Sequence, residues 1–444
     1  MTVLILRALL GVVCLLGLLW LCSLNRKAIN WRLIGGGLLL QVLLATAFFG
    51  APGLTKTILE PVASFFVRIT DFSMDGAQLV FGKLVDIPTM EKALGPESGF
   101  IFAFRVLPTI IFFSALTSAL YYLGILQRIV YGFAWVMKRM MRLSGAESLA
   151  VAGEVFLGQT ESALLVKPYL PKMTRSEIAA MMVGGMGTIA GGVMAAYIAK
   201  LGGTSDAERL KFGTWLLCAS LMNAPACIVA AKMLVPETEP INEDLTVPKE
   251  KTGSNFFDAL AAGTTEGLHL ALNVGAMLVS FVAFAALANW ILGGIGSVIP
   301  VGGGQSLNQW IAAVSGQVFG GLSLQSIFGT AMTPLAWLMG VDSPDLLRTG
   351  QLLGTKLALN EYVAYDQLGT FKEAALMSPR AVFLCTFALC GFANLGSIGI
   401  QLGGMAVLAP AKRPVLAELG IRALIGGTIA SILTATIAGV FFQG

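Results

Sequence analysis

The chain has 444 residues, 56% of them hydrophobic and only 12% charged, with a formal net charge of +4. Soluble domains carry about a quarter charged residues, so this composition excludes an ordinary soluble enzyme or binding module and indicates an integral membrane protein. Apolar runs of about 20 residues recur from end to end, as helical spans require, and the alternating pattern of a transmembrane barrel is missing. The small positive excess lies in short loops, where it reports orientation and is no nucleic-acid footprint.

A first span is expected at residues 3–22. It is too long for a signal core and has no small-x-small cleavage site. Arg26, Lys27 and Arg32 follow it, which makes that loop cytoplasmic and the N-terminus external. A second span, 34–49, leads outward. Residues 54–83 mix Lys56, Glu60, Arg68, Asp71 and Asp75 with Phe and Val, the pattern of an interfacial amphipathic helix. A third span, 100–122, contains Pro108 and ends before a basic cytoplasmic stretch from Gln127 to Arg142.

From Ser144 two short apolar pieces flank Gly158-Gln159-Thr160-Glu161 and end at Lys167-Pro168-Tyr169-Leu170-Pro171-Lys172. Each is too short to cross about 30 Å of hydrocarbon, so a re-entrant hairpin with a polar tip near the midplane is expected. A span at 176–199 follows, interrupted by Thr188-Ile189-Ala190-Gly191-Gly192-Val193, where freed carbonyls can coordinate a cation. The next span, 212–234, contains Asn223-Ala224-Pro225, and a polar cytoplasmic loop occupies 236–254. A long apolar helix at 268–292, a glycine-rich outer loop at 293–304 and an interfacial segment at 309–339 come next.

The pattern then returns. A second short pair surrounds Leu359-Asn360-Glu361-Tyr362-Val363-Ala364-Tyr365, and the span at 380–405 is interrupted by Asn394-Leu395-Gly396-Ser397-Ile398-Gly399. A final span, 416–442, returns to the outer side. Glu161 and Glu361 each precede a glycine-rich break by roughly thirty residues, and an odd number of crossings separates them. Such an inverted repeat with paired broken helices marks the midplane site of a secondary transporter. Carboxylates at that depth are kept for contact with a substrate or ion. Intramembrane glycines such as Gly184, Gly185 and Gly426 are read as close-packing points. Six cysteines in apolar segments without a CxxC pair, and a single histidine, His269, offer neither a metal cluster nor a His-based triad. The chain is therefore not read as an enzyme.

At these residues the chain resembles the concentrative nucleoside transporter family. The resemblance rests on Gly158-Gln159-Thr160-Glu161 with Leu164-Leu165-Val166-Lys167-Pro168-Tyr169, on Asn360-Glu361-Tyr362-Val363-Ala364-Tyr365, and on Cys390-Gly391-Phe392-Ala393-Asn394 through Ser397-Ile398-Gly399-Ile400. Asn223-Ala224-Pro225-Ala226 and Val235-Pro236-Glu237-Thr238-Glu239 add to it. It implies an all-α polytopic homotrimer in a bacterial inner membrane with both termini periplasmic. Each protomer would have eight transmembrane helices, two of them broken, two re-entrant hairpins in inverted repeats, and interfacial helices. Residues 1–143 would be mainly scaffold, 144–234 the first repeat, 235–343 the cytoplasmic loop, long scaffold span and interfacial helix, and 344–444 the second repeat.

The resemblance implies nucleoside import by an elevator-type mechanism. Gln159, Thr160 and Glu161 would read the base edge, Val193 and Phe392 pack on its face, and Glu361, Asn394 and Ser397 hold the ribose. No cofactor is implied beyond a coupling cation, at Glu154, Leu157, Thr188 and Ile189. Sodium-coupled members have asparagine where Glu154 stands and serine at Thr188. A carboxylate there either binds sodium or takes a proton, and the reading favours the proton. Ser162-Ala163 also replaces the usual Ala-Pro. No basic residue lies at either tip or break, which disfavours nucleotides. The alternative is a nucleoside-permeable channel or facilitator without ion coupling, which would not accumulate substrate.

Overall fold

Most of the computed structural model is helical. It describes residues 2–50, 53, 55–95, 99, 101–159, 161–203, 205–241 and 253–442, with the backbone alone at Thr70, Met277 and Phe281. Among the described residues, seven helices are long and apolar enough to cross a membrane. The chain begins with α1 (Thr2–Leu21) and α2 (Trp31–Phe49), the latter capped by the Asn30 side chain, which accepts from the Arg32 and Leu33 amides. One π-helical turn then enters α3 (Glu60–Phe81), with Pro61 in its first turn, where a missing N–H costs nothing. Ala63, Phe66, Ile69, Ser73 and Ala77 are buried at helical spacing along α3, as an amphipathic helix requires. Ser73 and Thr109 share a 2.8 Å hydrogen bond, which ties α3 to α5.

Next come the short α4 (Ile87–Leu94), then α5 (Phe102–Tyr122) and α6 (Ile125–Met141). The basic stretch expected after the third span is thus a helix, with Leu126, Val130, Ala134, Met137 and Met141 forming its buried stripe. It packs against α2 and α7.

Two stretches then share one order of elements. The first is α7 (Gly145–Glu154), α8 (Glu161–Leu165), α9 (Arg175–Gly187), α10 (Gly191–Gly202) and α11 (Asp206–Leu234). Capping boxes start α7 at Ser144/Glu147 and α9 at Thr174/Glu177. The second stretch is α15 (Leu346–Ala358), α16 (Glu361–Glu373), α17 (Pro379–Ala388), α18 (Leu395–Leu408) and α19 (Arg413–Ala438). Between them run α12 (Phe256–Val298), a hairpin of β1 (Pro300–Val301) and β2 (Gln305–Ser306), α13 (Leu307–Val314) and α14 (Leu324–Met339).

Four details differ from the sequence reading. The helix expected at 268–292 is α12, 43 residues long, or roughly 65 Å at 1.5 Å per residue, about twice the hydrocarbon thickness. Its apolar pattern drops out near the ends, but no proline breaks it, so the helix continues through Gly293–Val298 and the outer loop shrinks to the β-hairpin. The interfacial segment is two helices, because Gly316, at φ +61°, and Gly320-Gly321 interrupt it. The second break lies at Leu389–Asn394 instead of 394–399, since the Asn394 side chain accepts from the Ser397 amide at 2.9 Å and so starts α18. Residues 242–252 of the polar loop fall outside the described residues.

The helices segregate by burial. The segment Arg175–Gly202, α9 and α10 together, and α11 bury 89% and 83% of their apolar windows inside the protein, whereas α12 buries 12% and α1 17%. An apolar helix with an exposed surface requires an apolar solvent, so the outer helices face lipid or a partner while α9, α11, α17 and α19 form the core.

The two helix breaks touch one another. A Cβ on Gly391, at φ +144°, would stand 2.8 Å from the backbone of Gly187 and Met186, so only glycine allows this crossing. The Asn223 amide bridges them, donating to the carbonyls of Gly187 and Cys390 at 2.7 Å each. Carbonyls released by the unwound backbone are thereby paired, as their burial demands.

Candidate functional site

A cavity of about 540 Å³ opens where the α7–α8 and α15–α16 turns meet the two breaks. Gln159, Glu161, Val193, Glu361, Phe392, Asn394 and Ser397 all line it, as do Phe102, Tyr197, Asn273 and Tyr362. Seven of the eight residues assigned to substrate thus share one chamber; the eighth, Thr160, lies outside the described residues. Glu161 and Glu361, 200 positions apart in sequence, face the same space.

Each carboxylate is set by local structure. Glu361 is the first residue of α16, whose Asn360 cap accepts from the Val363 amide at 2.9 Å. A helix N-terminus favours negative charge. Tyr197 donates its hydroxyl to Glu361 Oε1 at 2.9 Å, and Asn394 Nδ2 donates to Oε2 at 3.0 Å. The same Asn394 caps α18 through its Oδ1, so one side chain fixes both the carboxylate and the break. Glu161 opens α8 and accepts from the Gly158 amide at 2.5 Å. Gln159 is buried, and among the described residues its Oε1 has no partner. A buried amide oxygen without a partner costs free energy that an incoming donor recovers.

A second polar group lies behind this chamber. Glu154, the last residue of α7, is fully buried; its Oε1 accepts from Ser162 Oγ at 3.2 Å. Its Oε2 has no partner among the described residues. The two departures from the family pattern noted in the sequence therefore meet one another: the serine that replaces alanine supports the glutamate that replaces asparagine. Glu154 Oε2 lies directly over Gly184 of α9, and Thr188 Oγ1 donates to the Gly184 carbonyl at 2.9 Å. Glu154 and Thr188 are thus brought to one residue, with buried Leu157 and Ile189 beside them in the turn and the break. The Gly191 amide donates to the Phe156 carbonyl at 3.2 Å, which holds turn and break together. Among the described residues there is no cluster of three His, Cys, Asp or Glu side chains.

The glycines read as packing points divide. Gly426 does serve packing, since a Cβ there would meet Val183 Cγ2 at 2.8 Å. Gly184 makes room for Glu154, and Gly185 for Gln159, whose Cβ lies 2.8 Å from the added atom. Sequence reasoning missed Tyr197 and gave Asn223 no role. Tyr197 carries a weak signal, a phenol six residues past a helix break; Asn223 was flagged only as part of a motif.

Three family models match successive parts of the chain: "Na+ dependent nucleoside transporter N-terminus" at residues 10–84, "Nucleoside recognition" at 103–204 and "Na+ dependent nucleoside transporter C-terminus" at 215–439. The chain is 37% identical to the putative nucleoside permease NupX of Escherichia coli (98% of this chain, 99% of that protein). It is 35% identical to nucleoside permease NupC of Helicobacter pylori (97% and 96%). Among solved structures, CNTnw in an inward-facing substrate-bound state is 36% identical, with a TM-score of 0.86 over 98% of this chain and 99% of that one. A doubly substituted CNTnw in an outward-facing state gives 0.87 at 36% identity over 99% of each.

Proposed function

We propose that this chain, which belongs to the Na+-dependent nucleoside transporter family, imports nucleosides into a bacterial cell by cation-coupled, elevator-type alternating access. The observation that carries the reading is the chamber itself: two carboxylates and several amides and hydroxyls converge there, and among the described residues no Lys, Arg or His lines it. Such a site suits a neutral ligand rich in hydroxyls and exocyclic amines and repels phosphate. Gln159, Thr160 and Glu161 read the base edge, as amides and carboxylates do with bases elsewhere. Val193 and Phe392 pack on the base face. Glu361, Asn394 and Ser397 take the ribose hydroxyls, with Glu361 preset as an acceptor by Tyr197 and Asn394.

In this reading the α7–α8 and α15–α16 pairs are re-entrant hairpins of opposite orientation, and the broken pairs α9/α10 and α17/α18 complete an eight-span protomer of a homotrimer. Residues 1–143 and 235–343 form the scaffold and its connections; 144–234 and 344–444 form the moving part, in an inner membrane with both termini periplasmic. The coupling cation binds at Glu154, Leu157, Thr188 and Ile189. Glu154 Oε2, without a partner among the described residues, suits a sodium ion or a proton, with the proton the favoured reading, and the family's description supports a coupling cation. Cation and nucleoside each order the first hairpin, so each favours the other's binding by a reciprocal free energy.

The test is uptake of labelled uridine and adenosine into proteoliposomes, under a sodium gradient alone and then a proton gradient alone. Wild-type protein is expected to accumulate nucleoside under one of them. Glu361→Gln should abolish uptake while the protein stays folded; wild-type uptake by that variant refutes the assignment, and equilibration without accumulation favours a facilitator.

A further inference from the structure

Lys356, near the end of α15, is 2% exposed, and among the described residues no carboxylate forms an ion pair with it. Its Nζ donates to the Ala388 carbonyl at 2.9 Å and to Ser431 Oγ at 3.2 Å. Removing an ammonium from water is expensive unless its surroundings replace the lost oxygens. Ala388 is the last residue of α17, so the ammonium sits at the negative end of a half-helix. Half-helix C-termini and unwound carbonyls are also where broken-helix transporters coordinate their coupling ions.

The first of the two matching stretches shows the complementary arrangement. Glu154 precedes the tip residue Glu161 by seven positions, and Lys356 precedes Glu361 by five. Glu154 faces the last turn of α9 at Gly184, as Lys356 faces the last residue of α17. One place therefore presents a buried carboxylate oxygen without a partner, and the other an ammonium already attached to the chain. Asn223 ties the two together through the Gly187 and Cys390 carbonyls.

We propose that the Lys356 ammonium is a tethered cation: it permanently fills, in the second stretch, the half-helix position that the first stretch leaves for a mobile coupling ion. The proposal rests on the transporter reading and adds the reason for its ion count. Lys356 is a positioning residue: it fixes the end of α17 ahead of Phe392 and Asn394, and its charge acts through space on Glu361 without an ion-pair contact. One mobile cation then accompanies each nucleoside, because the second place is never vacant.

The experiment measures charge moved per nucleoside, by reversal potential in proteoliposomes, together with equilibrium nucleoside binding against cation concentration. Wild-type protein is expected to move a single charge with a Hill slope near one. Lys356→Gln should need a second mobile cation, with the slope rising towards two and the charge ratio doubling, while Lys356→Arg keeps the wild-type values. A folded Lys356→Gln protein with wild-type slope and ratio overturns the proposal, as does one that binds no nucleoside at any cation concentration. Where Lys356→Gln does not fold, the wild-type ratio decides: one charge supports the proposal and two overturn it. Wild-type protein that accumulates nothing under either gradient removes the transport reading instead, and the wild-type arm separates that result from the rest.

Discussion

Gly184→Ala probes the proposed cation place with a single added carbon. A methyl there overlaps Glu154 Oε2 and stands 3.1 Å from both Glu154 Cδ and Val151 Cγ2. Inside a helix, alanine is favoured over glycine by about 1 kcal/mol, while forcing an extra carbon into a packed core costs about 1–3 kcal/mol. These effects largely offset each other, so the fold should survive with little change in melting temperature. The methyl displaces Oε2 of Glu154, and the expected cost is the bond its other oxygen makes with the Ser162 hydroxyl, 3.2 Å away. A hydrogen bond to a charged group is worth about 2 kcal/mol, so the half-saturating cation concentration should rise about 30-fold. The assay is uptake against cation concentration at fixed nucleoside. Gly185→Ala is the control one residue along: its methyl meets Gln159 Cβ at 2.8 Å and Gln401 Nε2 at 2.9 Å, and should raise the nucleoside KM with little effect on the cation curve. A Gly184→Ala protein with wild-type cation dependence refutes the placement of the ion beside Glu154.

Tyr197→Phe removes the donor to Glu361 Oε1 and leaves a fully buried ring of nearly the same size. Nucleoside binding should weaken about tenfold, the lower end of a charge-assisted bond, with unchanged cation dependence; equilibrium binding in detergent measures both. Lys232→Met should destabilise the protein by about 3–5 kcal/mol. Its Nζ pairs at 2.6 Å with Glu147, which is 1% exposed and would be left as a lone buried carboxylate. Thermal melting checks this, and replacing Glu147 with leucine as well should restore most of the loss; a wild-type melting temperature for Lys232→Met alone contradicts it.

The positions of the spans were legible because hydrophobicity is a local property of the chain: residues 3–22, 34–49 and 100–122 reappear within a few residues as α1, α2 and α5. The polar tips at Glu161 and Glu361 were legible for the same reason, since a carboxylate in an apolar run stands out without any knowledge of its neighbours. Helix ends were less so. Asn394 looked like the start of a disruption and is instead the cap that ends one, a distinction made by the backbone angles of a single residue.

What the sequence alone determined is therefore a membrane-embedded helical protein with two repeated acidic turns, each followed by a break. Tertiary structure decided which groups meet. Tyr197 reaches Glu361 across 164 positions, Asn223 reaches Cys390 across 167, and Gly391 meets the backbone of Gly187 because Gly391 has no side chain. A hydrogen bond depends on two atoms lying within about 3 Å, and no periodicity along one segment specifies the partner on another. The same limit hid the meeting of Ser162 with Glu154 and the seating of Lys356 at the end of α17, where a charge is paired with oxygens only once the chain has closed around it.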